Sequence, residues 1–213
     1  LFDVQTIDMR LPPLDDGISW PQLLTRYDVA GLYDSMALLK RAPIARAHTL
    51  TPLTSIAGKF GEKISVPATA DGPIWAEIDV KLSPRGKLEE LFYRPPGLLI
   101  EVQMAGENET YRLIAPIARA GFLLSPMLKT RGEFVSLAST AWREDLKSRV
   151  VRRIVISPVG FGKIANVDAC FEPEIKIKFS RLEFSHQDLS GIPGWSKRLA
   201  PPDSASSDGT RSP

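Results

Sequence analysis

The side chains able to carry chemistry are few and loosely spaced. There are two histidines, His48 and His186, one cysteine, Cys170, and three adjacent acidic pairs, Asp15-Asp16, Glu89-Glu90 and Glu144-Asp145. Neither histidine stands at metal-ligand spacing. One cysteine builds neither a disulfide framework nor a thiolate metal centre, and no D-x-[DN]-x-[DN]-G calcium loop occurs, so no metal or other cofactor is expected. A Ser–His–acid triad assembles in space rather than in sequence, which leaves Ser125 or an acidic pair with His48 as a hydrolase alternative. There is no G-x-S-x-G elbow, however, and Gly121-Phe122-Leu123-Leu124-Ser125-Pro126 reads as a strand ending in a turn. Cys170 sits between Ala169 and Phe171 with no cationic neighbour in sequence, so it reads as a small core residue rather than a thiolate nucleophile. Gly160-Phe161-Gly162-Lys163-Ile164 lacks the first glycine and the Ser/Thr of a phosphate loop. Adjacent carboxylates point to opposite faces of an extended chain, whereas a glycosidase needs two across a cleft. A non-catalytic protein is therefore the leading expectation.

What remains is a set of residues able to bind. Trp75, Tyr93, Tyr111 and Trp142 are aromatic side chains next to polar or turn residues, and Glu77, Asp79, Asn108 and Arg112 lie among them. Aromatic faces beside carboxylates and amides hold sugar rings: the C–H-rich faces stack while the hydroxyls find hydrogen-bond partners. The competing reading is that Trp75 is simply covered by the N-terminal helices. Residues 142–153 carry five basic and two acidic side chains, which suits a charge-protected sheet edge or a weak anionic-ligand surface. With 27 basic and 25 acidic residues the net charge is only +2, which argues against a nucleic-acid partner.

The elements that must position these residues are mostly strands. Proline (18) outnumbers glycine (15), which favours many turns and few long helices. A short helical segment is expected over about 19–42. Ser19 would cap it, with Pro21 in the first turn, Gln22 completing a capping box, and Trp20, Leu23, Leu24 and Tyr27 on one face. A second short helix would run from Asp34 through Met36, Leu38 and Leu39 to the break at Pro43. From about residue 44 the period is two. In 74–82, Ile74, Ala76, Ile78, Val80 and Leu82 face one way and Trp75, Glu77, Asp79 and Lys81 the other. After a turn at 83–86, further strands are expected at 87–93, 98–104, 110–116, 121–125, 134–138, 150–157 and 174–184, with 98–104 and 110–116 paired as a hairpin. Within 174–184 the apolar phase slips at Ser180-Arg181, the mark of a bulge or of a strand passing between two sheet environments. The expected fold is mostly β: an antiparallel β-sandwich or jelly roll with a short N-terminal helical segment. It would form a single domain over 1–198, followed by a disordered tail at 199–213.

The strand at 74–82, the hairpin at 98–116 with Arg112 inside it, the phrase at 121–126 and the late strands at 152–157 and 175–184 resemble the galactose-binding-like jelly-roll domains found among carbohydrate-binding modules. The same features are similar to the extracytoplasmic domains of polytopic bacterial membrane proteins, glycosyltransferases among them. The resemblance covers about 60% of the chain. It implies a non-catalytic domain outside the cytoplasm, binding or positioning a carbohydrate or a glycan-bearing partner within a larger, membrane-tethered cell-envelope protein. The absence of an initiator Met and the polar C-terminal end fit such a fragment. The longest apolar runs are too short to span a membrane. The alternative of another class is a structural or interaction domain docked on the rest of its parent protein.

Overall fold

In the computed structural model the chain builds three stacked layers, two β-sheets and a cover made from the N-terminal segment together with residues 128–146. The structure describes residues 4, 8–15, 17–33, 36–68, 72–92, 97–159, 167–193 and 195; Tyr93, the loop at 160–164 and the expected tail at 199–213 lie outside them. Helices α1 (Pro12–Asp15) and α2 (Trp20–Arg26) precede an antiparallel hairpin of β1 (Tyr27–Tyr33) and β2 (Met36–Arg41). There follow β3 (His48–Lys59), β4 (Ile64–Ser65), β5 (Ile74–Asp79), α3 (Pro84–Phe92), β6 (Gly97–Gln103), β7 (Asn108–Leu113), α4 (Ala115–Ala120) and β8 (Phe122–Ser125). The chain then continues through α5 (Arg131–Ala138), α6 (Trp142–Asp145), β9 (Arg153–Val159) and β10 (Glu174–Phe184).

Among the described residues, the strands from β3 onward form two four-stranded sheets, ordered β3-β10-β5-β8 and β4-β9-β6-β7. The first of these eight strands pairs with the last, the second with the seventh, the third with the sixth and the fourth with the fifth, all antiparallel. That is a long hairpin ribbon rolled on itself, the jelly roll. Ile74, Ala76 and Ile78 meet Ile100, Val102, Ile154 and Ile156 of the other sheet in the sandwich core. Each isoleucine or valine among them contributes roughly 1.5–3 kcal/mol by leaving water.

The β3-β10-β5-β8 sheet is covered on its other face too. Trp75, Leu123 and Leu182 point away from the sandwich into a second core built with Trp20, Leu24, Val29, Leu32, Phe134 and Trp142. This explains the phase slip in the last strand. Ile175, Ile177 and Phe179 enter the sandwich core, and Leu182 enters the second. The register against β5 is continuous throughout, while that against β3 shifts between Phe179 and Ser180, where Leu53 is the extra residue. The bulge therefore sits on β3, beside Pro52, which has no N–H to give a ladder. The strand β10 itself stays regular and changes which of its faces is buried.

Three segments differ from expectation. Residues 36–41 are strand rather than helix, because pairing with β1 buries Ala37 against the second core. Ser19 stands at the N-cap of α2 but its side chain makes no capping bond, and Gln22 accepts instead from Arg26 Nε at 2.6 Å. Residues 84–92 are helix: Ser83 Oγ accepts from Gly86 N–H at 3.1 Å and Pro84 opens the first turn, so the Ser-Pro pair read as a turn starts α3. Gly86 lets α3 lie directly on the turn at 167–170, where an added Cβ would stand 1.9 Å from the Cys170 carbonyl oxygen. Residues 131–138 are also helix, opened by a full capping box between Thr130 and Glu133. That T-x-x-E signal ahead of Phe134 stands in the sequence and is the one that reading by strand runs passes over.

Candidate functional site

Three of the four aromatic candidates, Trp75, Tyr111 and Trp142, are structural. Trp75 is 3% exposed in the second core, its indole lying over Gly121, where an added Cβ would stand 2.2 Å from Nε1 and where φ is +100°. Trp142 is equally buried, stacked on His186 with ring centroids 5.8 Å apart and capped by the Arg143 guanidinium at 5.2 Å. Tyr111 faces into the sandwich core, and only its hydroxyl reaches outward, donating to Glu109. None of these three rings presents a free face for stacking a sugar, so the sequence expectation of an aromatic platform is corrected here. Its competing reading, a covered Trp75, is the one the packing supports. Tyr93 lies outside the described residues, and Asn108 is exposed at the start of β7.

Ser125 and His48 do not come together as the first form of the hydrolase alternative requires. Ser125 is fully buried, and its Oγ accepts from Val151 N–H at 3.0 Å. His48 is on β3 and Ser125 on β8, the two outer strands of one sheet, so three strand spacings of about 4.8 Å, roughly 14 Å, separate them. Cys170 is buried and donates to Glu89 Oε2 at 3.0 Å. Burial and that carboxylate push the thiol up, away from a reactive thiolate. Among the described residues no cluster of His, Cys, Asp and Glu is arranged to hold a metal ion.

A polar cluster that no sequence spacing announces joins the β6–β7 turn to α5. Lys129 Nζ contacts Glu109 and, at 3.3 Å, Glu107; Arg149 reaches Glu107 at 3.0 Å and Glu133 at 2.6 Å. Burial alone would raise Glu109, but hydrogen bonds with Glu107, Lys129 and Tyr111 outweigh it and hold that carboxyl down to about 2. Burial and the bond to Glu109 push Tyr111 up. Each of the three carboxylates pairs with Lys129 or Arg149, which makes the cluster a clamp between elements.

The polar candidates behave differently. Glu77 and Asp79 project from β5 into a shallow cavity of about 500 Å³ with Ser55, Ala57 and Lys178, where Lys178 pairs with Glu77 at 3.1 Å. Asp79 and Arg119 of α4 also line a second, larger cleft of about 860 Å³ at the open end of the sandwich, and Arg112 lines it from the opposite sheet. Its floor is Leu82, Leu98, Leu113, Ile114 and Phe171, and its rim carries Lys81, Lys87, Glu90 and Glu172. No ion pair or hydrogen bond joins the side chains of Asp79, Lys81, Lys87, Glu90, Arg119 and Glu172 to one another. Of the eight sequence candidates, this cleft therefore brings together Asp79 and Arg112, with Glu77 next door. Lys87 and Glu90 were missed because α3 falls where a strand was expected, and Arg119 because α4 fills the gap between the strands expected at 110–116 and 121–125.

Fold and cleft together define a jelly-roll domain with a ligand-sized opening at one end of its sandwich. No protein-family model, no curated protein and no solved structure matches the chain. Among the described residues, no helix is long and apolar enough to cross a membrane.

Proposed function

We propose that this chain is a non-catalytic binding domain that holds carbohydrate in the cleft between Asp79, Arg112 and Arg119. The observation that carries the reading is a rim of both charges around an apolar floor, in which Asp79, Lys81, Lys87, Glu90, Arg119 and Glu172 make no bond to one another. A sugar hydroxyl both donates and accepts, so carboxylates and cationic groups side by side satisfy it from either direction, while its C–H face rests on leucine, isoleucine and phenylalanine. The volume lies in the range of small-ligand sites. Placement in the cell envelope, as part of a larger protein, is supported by the sequence resemblance alone. A glycan array followed by isothermal titration tests the proposal. Asp79→Asn and Arg119→Ala should each weaken binding at least tenfold without moving the thermal midpoint. Failure to bind any envelope glycan, or unchanged affinity in both variants, overturns it.

A further inference from the structure

The four outer strands of the sandwich are not equally protected against pairing with another chain. Strand β8 is four residues long, fully buried, and packed beneath α1. Strand β4 has only two residues. Strand β7 carries Glu109 and Arg112, and its Arg112 N–H is already taken by the Met9 carbonyl at 2.7 Å. These are the usual means of blunting an edge. Strand β3 differs. It is twelve residues long and mostly exposed, and its ten residues Thr49–Gly58 contain no ionisable side chain.

Two devices protect parts of it. Pro52 and the bulge at Leu53 interrupt the first half. At the far end the Lys59 N–H is bonded to Glu62 Oε2 at 2.9 Å, so it points away from β10. Backbone direction alternates along an antiparallel strand, so Ser55 and Ala57 turn their N–H and C=O groups outward as Lys59 does. Among the described residues no backbone group takes up these bonds.

We propose that residues 54–58 of β3 pair with the same residues of a second copy of this chain, in antiparallel register about Ile56. Ser55 then exchanges both backbone hydrogen bonds with Ala57 of the other copy, and the reverse, giving four bonds and one continuous eight-stranded sheet. A second copy is the occupant because an uncharged strand paired with itself brings no like charges opposite one another, and because the two groups left open are those a two-fold axis at Ile56 joins. With so short a contact the dimer is weak and concentration-dependent.

Sedimentation equilibrium and a double variant test this. In S55E/A57E each new carboxylate lies beside Lys178 or Lys176 of its own β10, the cross-strand neighbours in the register, so the fold is kept. In the dimer, however, the carboxylate introduced at position 55 of either copy faces the one introduced at position 57 of the other. The wild type should dimerise as its concentration rises. S55E alone, which faces Ala57, should associate nearly as well, and S55E/A57E at least tenfold more weakly with an unchanged circular-dichroism spectrum. A wild type that stays monomeric to about 1 mM, or a double variant that associates as the wild type does, overturns the proposal.

Discussion

At the scale of single residues, burial decides what a side chain can do. Trp75 has the residue type for stacking a sugar and the position of a core anchor, because both faces of its sheet are covered. Trp75→Ala should therefore cost about 3–5 kcal/mol of stability in urea unfolding, while any variant protein still folded keeps its cleft affinity. A stacking tryptophan would show the opposite pattern. His186 is likewise structural. Burial, reinforced by the nearby Arg143, lowers its ionisation, although the Nδ1–H bond to the Leu137 carbonyl, 3.0 Å, favours the charged form in part. The folded state thus prefers neutral imidazole. Its contribution is complete above the unfolded value, about 6.5, and is lost as the pH falls below it. Chemical denaturation at pH 7.5 and 5 should show this loss in the wild type, and His186→Gln should diminish it.

At the scale of elements, local signals work where they are self-contained. The Ser180-Arg181 phase slip marks a true change of environment, and the 98–116 hairpin forms in the expected antiparallel pairing because its two runs are adjacent and joined by a short turn. Short apolar runs are ambiguous between helix and strand without a capping signal. Residues 36–41 show the error in one direction and residues 131–138 in the other. For the latter, Glu133 accepts from the Thr130 and Lys129 N–H groups and from Arg149, so the cap of α5 is also part of the clamp. Thr130→Ala should lower stability by about 1 kcal/mol, measured by the shift in denaturation midpoint at constant slope.

At the scale of the whole molecule, one sheet serves two cores. Trp20, Trp75 and Trp142 lie in the second core and Trp195 packs against it, so tryptophan fluorescence reports on that core and its cover, while far-ultraviolet circular dichroism is dominated by the sandwich. Because β5, β8 and β10 supply side chains to both cores, the two signals should follow the same denaturation curve. Two separated transitions would mean that the cover unfolds independently of the sandwich.

By itself, the sequence determined the class of fold. Alternation over 74–82 and 174–184, together with proline-rich turns, requires strands with one face in a core, and the sparse histidine and cysteine content offers no ready-made metal or thiol centre. It also placed Trp75 on the face opposite Ile74, Ala76 and Ile78. Whether that face met water, ligand or protein was decided only by tertiary structure, because the covering residues come from 20–37 and 128–146, far away in sequence. The same holds for the cleft. Asp79 and Arg112 stand on different sheets, and Arg119 and Lys87 on helices that local patterns do not show, so their convergence depends on how the ribbon rolls up. Periodicity is a property of neighbours along the chain, whereas a binding site is a property of neighbours in space.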